Sequence, residues 1–266
     1  MKMSISRIKL FKACRRAFYF KYIEGLRPVE KPEALETGSN YHELIEWLNK
    51  KDSFDGVEED YSKEQAMASA YAKYIYPKVK IVEAEKKIEM QINGVDYIGI
   101  VDGVTSDGCI VEHKTTSRDI SEGGEYEYNL LWDEQILMYM LLTGARKIYY
   151  TLCRKPTIRQ KKDETEEEFY KRMIEWYDVD TDSKIRFVEI TRTDEEVEAF
   201  KKELDSIALE INVAGNQNKN AVSAITDPYY RNTCHCNSWG RRCEYSSICL
   251  NYNPDADYIE FTKGEN

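Results

Sequence analysis

The chain has 266 residues, a net charge of -10 and an apolar fraction of 42%, which is enough for one large domain with its own core. The acidic balance argues against nucleic-acid binding over the whole surface and leaves room for a local basic cleft. No run approaches the roughly 18 apolar residues of a membrane span, and the N-terminus lacks the apolar core of a secretory signal. We therefore expect a cytoplasmic protein.

Helical periodicity dominates the first third of the chain. It predicts helices over residues 4–24, 37–50 and 62–76, the first of them capped by Ser4 or Ser6. Strand-like segments follow at 80–91, 97–104 and 109–116, and an Asp-Gly pair between the last two predicts a hairpin. The remaining predicted elements are a helix at 129–143, a strand at 147–155, a charged surface helix at 161–178, a strand at 184–193 and a helix at 194–214.

This order of elements predicts an α/β (mixed α+β) fold, in which helices flank a central mixed β-sheet. We expect a single domain over 1–266 that begins with N-terminal helices and ends in a cysteine-rich tail. Its predicted parts are an N-terminal helical part (1–78), a core (79–215) with a helical insertion near 156–183, and the tail (216–266).

Two charged residues interrupt the apolar strand "CIVEHKTT". Side chains alternate along a strand, so Glu112 and Lys114 project together. The hairpin brings Asp102 close to opposite Glu112, within about one residue of register. Two carboxylates this close repel each other unless a cation lies between them, and their oxygens suit Mg²⁺ or Mn²⁺. The alternative is a surface hairpin with an ordinary Glu–Lys pair.

Polar residues on two helices add to this pattern. Gln135 and Tyr139 lie one turn apart in an otherwise apolar helix, where they either face a site or form a half-exposed surface. His42 opens the stretch "HELIE", in which Glu46 replaces the second histidine of the zinc-protease pattern H-E-x-x-H. A zinc protease is therefore disfavoured.

Four of the seven cysteines lie within residues 234–249. An odd count without an export signal indicates metal binding rather than disulfides. The candidates are a structural zinc, for which the usual C-x₂-C knuckle is missing, and an iron–sulfur cluster, which accepts a distant ligand. Reduced, unligated thiols are the alternative. Cys109 and Cys153 are expected in the core.

The order G-x-x-x-H, D, E-x-K, Q-x-x-x-Y resembles the PD-(D/E)XK nuclease superfamily, in its RecB-type exonuclease branch. The residues that carry the resemblance are Gly38, His42, Asp102, Glu112, Lys114, Gln135 and Tyr139. Val101 stands where the superfamily name has proline. The resemblance implies a restriction-endonuclease-like core.

The resemblance also implies roles for these residues. The implied metal ligands are Asp102, Glu112, His42 and the backbone carbonyl of His113. Either Glu83 or Glu85 is expected to join them. Lys114 is expected to act in catalysis, and Gln135 and Tyr139 to position the DNA strand or the carboxylates.

The segment around Cys14 resembles the N-terminal stretch of relatives that carry an iron–sulfur staple, namely AddB-type helicase–nucleases and the CRISPR-associated adaptation nuclease. Arg15 replaces the proline that often follows this cysteine. The implied ligands of a 4Fe-4S cluster are Cys14, Cys236, Cys243 and Cys249. Cys234 is a rival for Cys236, and zinc is the lesser alternative to the cluster.

The resemblance implies a Mg²⁺- or Mn²⁺-dependent DNA exonuclease of recombination, repair or phage DNA processing, encoded by a phage or prophage and working beside a separate helicase or single-strand annealing protein. A second hypothesis is a non-catalytic iron–sulfur or zinc DNA-binding accessory protein, against which the intact Asp, Glu and Lys set argues. An RNA-acting nuclease would share the same site. Basic residues near the first helix either meet the phosphate backbone or form a solvated face: Arg7, Lys9, Lys12, Arg15, Arg16 and Lys21.

Overall fold

The computed structural model describes residues 2–30, 33–217, 227–238, 242–253 and 257–264, so parts of the predicted tail lie outside the described residues. The chain divides into two compact units. The central unit comprises Pro32–Glu89 and Gly99–Glu198. The terminal unit comprises Met1–Lys31, Met90–Ile98 and Ala199–Asn266.

A mixed five-stranded sheet organises the fold. Its strands are β2 (Ile81–Ile92), β3 (Val95–Thr105), β4 (Ile110–Thr116), β5 (Lys147–Arg154) and β6 (Ile185–Thr191), in that spatial order. β4 and β5 are parallel, whereas β3 pairs antiparallel with β4 and β5 with β6. The predicted class, a mixed sheet flanked by helices, is confirmed.

Helices of the central unit cover both faces of this sheet. They are α3 (Glu33–Lys51), α4 (Lys63–Tyr74), α5 (Glu125–Leu130), α6 (Glu134–Thr143) and α7 (Glu166–Asp178). Val111 and Cys153 pack into one core with residues of α3 and α4, while Ile110 and Leu152 pack into a second core with residues of α6. β4 and β5 are thus buried on both faces, which explains their nearly continuous apolar sequence. Cys109 and Cys153 are buried, as expected.

The terminal unit joins the two ends of the chain. Its helices are α1 (Ile5–Ala13), α2 (Arg15–Phe18), a π-helix (Tyr19–Ile23) and most of α8 (Asp194–Gln217). β1 (Leu26–Pro28) pairs antiparallel with β7 (Phe261–Lys263), a pairing that local sequence did not predict. The Tyr245 hydroxyl is buried and donates to the Leu26 carbonyl at 3.0 Å.

The prediction of one continuous helix over 4–24 was wrong. Ser4 caps α1, but the chain turns extended at Cys14, with φ -161° and ψ 110°. The Asn232 side chain donates to the Ala13 carbonyl at 2.9 Å, and the Asn232 backbone N–H donates to the Cys14 thiol at 3.3 Å. A residue more than 200 positions away therefore satisfies the helix end, which no local pattern encodes.

Two other helices also differ from the prediction. The helix expected over 129–143 is split into α5 and α6, because the Asp133 carboxylate accepts the Gln135 N–H and starts a new helix. The charged helix expected over 161–178 begins only at Glu166 and is not merely a surface arm. Its Tyr177 is fully buried and donates to the Arg154 carbonyl at 2.7 Å.

No helix in the part of the chain that the structure describes is both long enough and apolar enough to cross a membrane.

Candidate active site

The β3–β4 hairpin places two carboxylates side by side. Gly103 pairs with Val111, so the same antiparallel register sets Asp102 opposite Glu112. The His113 N–H donates to Asp102 Oδ2 at 2.7 Å and ties the two strands together at this level. Burial opposes ionisation of Asp102, but the hydrogen bond from His42 and the bond from His113 outweigh it and lower its pKa.

Glu112 is the most enclosed charged group of the site, with a side chain that is 4% exposed. Its Oε1 accepts from Lys114 Nζ at 2.8 Å and from Gln135 Nε2 at 2.7 Å. Its Oε2 is buried and finds no hydrogen-bond partner among the described residues. Burial, and then the Asp102 charge, raise the pKa of Glu112 to about 7. An orphaned carboxylate oxygen of this kind is unstable unless a cation or a proton occupies its free side.

Lys114 lies between acceptors. Its ammonium donates to Glu112 and, at 2.7 Å, to Gln135 Oε1, and it lies 4.0 Å from Asp133 Oδ2. Burial disfavours the charge, but the carboxylates of Glu112 and Asp133 outweigh it and raise the pKa of Lys114. Lys114 is therefore a cation at neutral pH and acts as a donor, not as a base.

Gln135 and Tyr139 point from α6 toward the same place. Gln135 Nε2 donates to the Tyr139 hydroxyl at 2.9 Å, and that hydroxyl donates to the Ile100 carbonyl at 2.6 Å. Burial raises the pKa of Tyr139 far above its ordinary value, so the phenol stays neutral. Gln135 thus holds both Glu112 and Lys114, while Tyr139 anchors Gln135 to β3.

A second group of donors lies beside Asp102. Ligand atoms of His42, Glu85 and Asp102 all lie within 4.8 Å of one another. Burial favours neutral His42, but Asp102 Oδ1, 3.5 Å from Nδ1, outweighs it and raises the pKa of His42. Of the two glutamates considered from sequence, Glu85 joins this group, whereas Glu83 pairs with Lys86 at 2.8 Å.

Glu85 owes its position to a backbone irregularity in β2. Its φ is 50°, in the left-handed region, which costs a non-glycine residue about 1–3 kcal/mol. Such residues in strands form bulges that re-aim a side chain and recur next to active sites. Sequence alternation alone did not distinguish Glu85 from Glu83, because both have the same parity.

The comparison with family models decides how this constellation is interpreted. A model described as the PD-(D/E)XK nuclease superfamily matches residues 2–250. The chain belongs to the PD-(D/E)XK nuclease superfamily.

Solved structures agree with this fold. A putative exonuclease from Eubacterium rectale superposes with a TM-score of 0.55 at 14% identity, over 97% of this chain and 90% of that one. An alkaline exonuclease from Laribacter hongkongensis gives 0.41 at 13%, over 85% and 95%, and a phage-related exonuclease from Haemophilus somnus gives 0.34 at 14%, over 72% and 90%. A search of curated proteins finds no match.

PD-(D/E)XK nucleases use divalent metals, and the donors present fit one. Carboxylate oxygens and an imidazole are ligands that Mg²⁺ and Mn²⁺ accept. The unpartnered Glu112 Oε2 and the group formed by His42, Glu85 and Asp102 are the observations that support this fit.

The side chain of His113 turns away from these donors. Its Nδ1 lies 2.6 Å from Thr151 Oγ1 in the core, and burial lowers the pKa of the imidazole to about 4. The ring is therefore neutral and structural. The expected metal contact through its backbone carbonyl remains a prediction.

One residue of this nuclease site was missed from the sequence. Asp133 caps α6, accepts from the Tyr150 hydroxyl at 2.9 Å and lies near the Lys114 ammonium. The signal was available, since an aspartate directly before an apolar helical run is a typical N-cap.

The predicted cysteine set converges in the terminal unit. Cys14 is buried, and Cys243 and Cys249 pack around the same apolar cluster. Burial first, and then the neighbouring Cys14 and Cys236 thiols, raise the pKa of both Cys243 and Cys249. Cys236 accordingly lies with the other three, whereas its rival Cys234 is exposed.

The basic residues near the first helix are largely engaged. Within the terminal unit, Lys12 pairs with Glu203, Arg15 with Glu210 and Arg16 with Asp227. Arg7 stacks over the Tyr22 ring and Lys21 lies 3.7 Å from Glu244. These pairs favour the solvated-face interpretation over a phosphate-binding one.

Proposed function

We propose that this nuclease is a Mg²⁺- or Mn²⁺-dependent DNA exonuclease. The observation that carries the proposal is the buried, unpartnered Oε2 of Glu112 beside the donors of Asp102, His42 and Glu85. These four residues would hold the cation, with the backbone carbonyl of His113 as a further ligand. When bound, the cation supplies an acidified water and polarises a phosphoryl oxygen.

The remaining residues have complementary tasks. The Lys114 ammonium is placed to donate to the phosphate where negative charge develops during hydrolysis. Gln135 fixes Lys114 and Glu112 in register, through bonds of 2.7 Å to each. Tyr139, already bonded to the Ile100 carbonyl, positions Gln135 and transfers no proton.

The exonuclease assignment is supported by the names of the superposing proteins, of which the Eubacterium rectale structure has the highest TM-score of those described above. Linear end-labelled DNA and closed circular DNA, each with Mg²⁺, Mn²⁺ or EDTA, separate the possibilities. We expect the linear DNA to be shortened only with a metal and the circle to survive. Cleavage of the circle would replace exonuclease by endonuclease activity, and hydrolysis in EDTA would contradict the metal site.

Lys114→Ala tests whether this site performs the reaction. Loss of one transition-state donor typically lowers kcat by about 10²–10³. Lys86→Ala is the matched control, because Lys86 is a surface lysine of the same unit that pairs with Glu83. Full activity in Lys114→Ala would place the chemistry elsewhere.

We further propose that the converging thiols of Cys14, Cys236, Cys243 and Cys249 hold a 4Fe-4S cluster, with zinc as the alternative metal. Soft thiolates in a reducing compartment suit either metal. Anaerobic purification should give a brown protein whose iron and sulfide contents agree, whereas a colourless protein containing zinc would select the alternative. A role in recombination, repair or phage DNA processing, beside a helicase or annealing protein, follows from the family resemblance and belongs to this proposal.

A further inference from the structure

An exposed aromatic patch lies at the edge of the candidate active site. The segment between α5 and α6 exposes Trp132 by 71%, Tyr128 by 57% and Leu131 by 47%. The Tyr128 and Trp132 rings contact each other, with centroids 6.2 Å apart and planes tilted by 64°. Large aromatic side chains left in water on a surface indicate an unused binding contact.

The backbone under this patch is firmly held. The N–H groups of Leu131, Trp132 and Asp133 donate to the carbonyls three residues earlier, at 3.1–3.2 Å, which makes a continuous series of turns. Arg192 donates to the Leu131 carbonyl, and Leu130 is buried beneath. The rings are thus presented from a fixed support, so little ordering entropy opposes binding.

The patch is also adjacent to the reacting groups. Asp133, the residue after Trp132, carries the carboxylate that lies 4.0 Å from the Lys114 ammonium. Consecutive Cα atoms are about 3.8 Å apart, so the indole is attached at the rim of the site that takes a phosphodiester. A base linked to that phosphodiester must lie within about one nucleotide of it, which is the neighbourhood of these rings.

We propose that Tyr128 and Trp132 form a stacking platform for unpaired bases of the strand being cleaved. This inference rests on the proposed nuclease function and gives it a substrate class, an unpaired or frayed DNA end. Aromatic stacking accepts every base, because each base has a π-face, which suits an exonuclease that must pass all sequences.

A protein partner fits the patch less well. Each of these aromatic side chains offers about 150–250 Å² of surface, and a specific protein interface needs about 800 Å² on each partner. Two or three exposed side chains match one or two bases better than a protein surface.

The binding test uses Lys114→Ala protein with Mg²⁺, in which DNA remains intact. Fluorescence anisotropy compares a labelled oligothymidylate with an abasic strand of equal length. We expect the oligothymidylate to bind about tenfold more tightly, and Trp132→Ala to remove that difference while Trp132→Phe keeps most of it. Trp47→Ala, which changes an exposed tryptophan of α3, is the matched control and should keep the full difference.

Kinetics on otherwise wild-type protein provide the second readout. Trp132→Ala should raise KM for single-stranded ends about tenfold, leave kcat within about twofold, and leave hydrolysis of a p-nitrophenyl ester of thymidine 5′-monophosphate unchanged, because that substrate has no neighbouring base.

The outcomes separate this inference from the proposed function. Equal binding of oligothymidylate and abasic strand, or undiminished discrimination by Trp132→Ala, overturns the platform, even if the protein cleaves DNA with a metal. Parallel loss on the small ester also overturns it, since the variant would then have damaged the site itself. Absence of cleavage by wild-type protein contradicts the nuclease proposal, while base-dependent binding through Trp132 would still support the platform.

Discussion

At the scale of single residues, Gln135 shows how one neutral side chain organises two charges. Its amide accepts from Lys114 and donates to Glu112, so no other side chain of its size with a single polarity replaces it. We expect Gln135→Leu to lower kcat about 10- to 100-fold, the usual loss when a partner of a metal ligand is removed.

Gln135→Glu should be worse than Gln135→Leu, because a second carboxylate would face Glu112. Tyr139→Phe, which loses only the hydroxyl that anchors Gln135 to Ile100, should be milder than either. Rates at saturating DNA, with circular dichroism to verify folding, measure this order. A Gln135→Leu enzyme as active as wild type would contradict the bridging role.

The titration of Glu112 predicts how metal binding responds to pH. Because burial and then Asp102 raise its pKa to about 7, the carboxylate is mostly protonated at pH 6 and mostly ionised at pH 8. A cation must displace that proton, so its affinity should be about tenfold higher at pH 8. The raised pKa of His42 acts in the same direction.

Calorimetric titration with Mn²⁺ at pH 6 and pH 8, in buffers of different ionisation enthalpy, counts the released protons. Glu112→Gln should bind more weakly at pH 8 and show a flatter pH dependence. A pH-independent affinity in the wild-type protein would indicate that Glu112 is not a ligand.

At the scale of elements, β3 and α6 meet so closely that a side chain is excluded. A Cβ on Gly99 would lie 2.9 Å from the Tyr139 ring. We expect Gly99→Ala to lower the free energy of unfolding by about 1–3 kcal/mol and to reduce activity through Tyr139. Denaturant unfolding and the nuclease assay measure the two effects.

Gly38→Ala is the matched control for this experiment. Its Cβ would meet Thr115 Oγ1 at 3.6 Å, an ordinary contact, within α3. Alanine is the better helix former, so this change should be neutral or stabilise by up to about 1 kcal/mol. Equal destabilisation by both substitutions would show that the contact with Tyr139 is not the cause.

The same elements show which parts of the site were predictable. The β3–β4 hairpin followed from the Asp-Gly pair, because Gly108 adopts the positive φ, 80°, that this loop requires. The facing of Asp102 and Glu112 then followed from strand alternation. The start of α6 at Asp133 and the choice of Glu85 did not, since they depend on a cap and on a bulge that periodicity does not register.

At the scale of the whole molecule, the least predictable feature is the terminal unit. β1 and β7 are separated by more than 230 residues, and each has only three residues, too few for a periodic signal. Its shared apolar cluster includes Cys14, Phe20, Tyr245 and Ile248. Only the cysteines indicated from sequence that the two chain ends meet, through the resemblance to iron–sulfur relatives.

This composition predicts how the terminal unit fails. Short elements with a small apolar cluster contribute little stability alone, so ligation of the four thiols should supply much of what holds the chain ends. We expect Cys14→Ser to lose the bound metal and to be trimmed by limited proteolysis beyond about residue 216, while the sheet of the central unit stays protected. Cys234→Ser, which changes the exposed cysteine, should keep both metal and protection. Metal analysis with mass spectrometry of the fragments measures this. If Cys14→Ser retained its metal and resisted the protease like the Cys234→Ser protein, the thiol set would be structural packing only, since a ligand to the metal cannot be removed without weakening the segments that it joins.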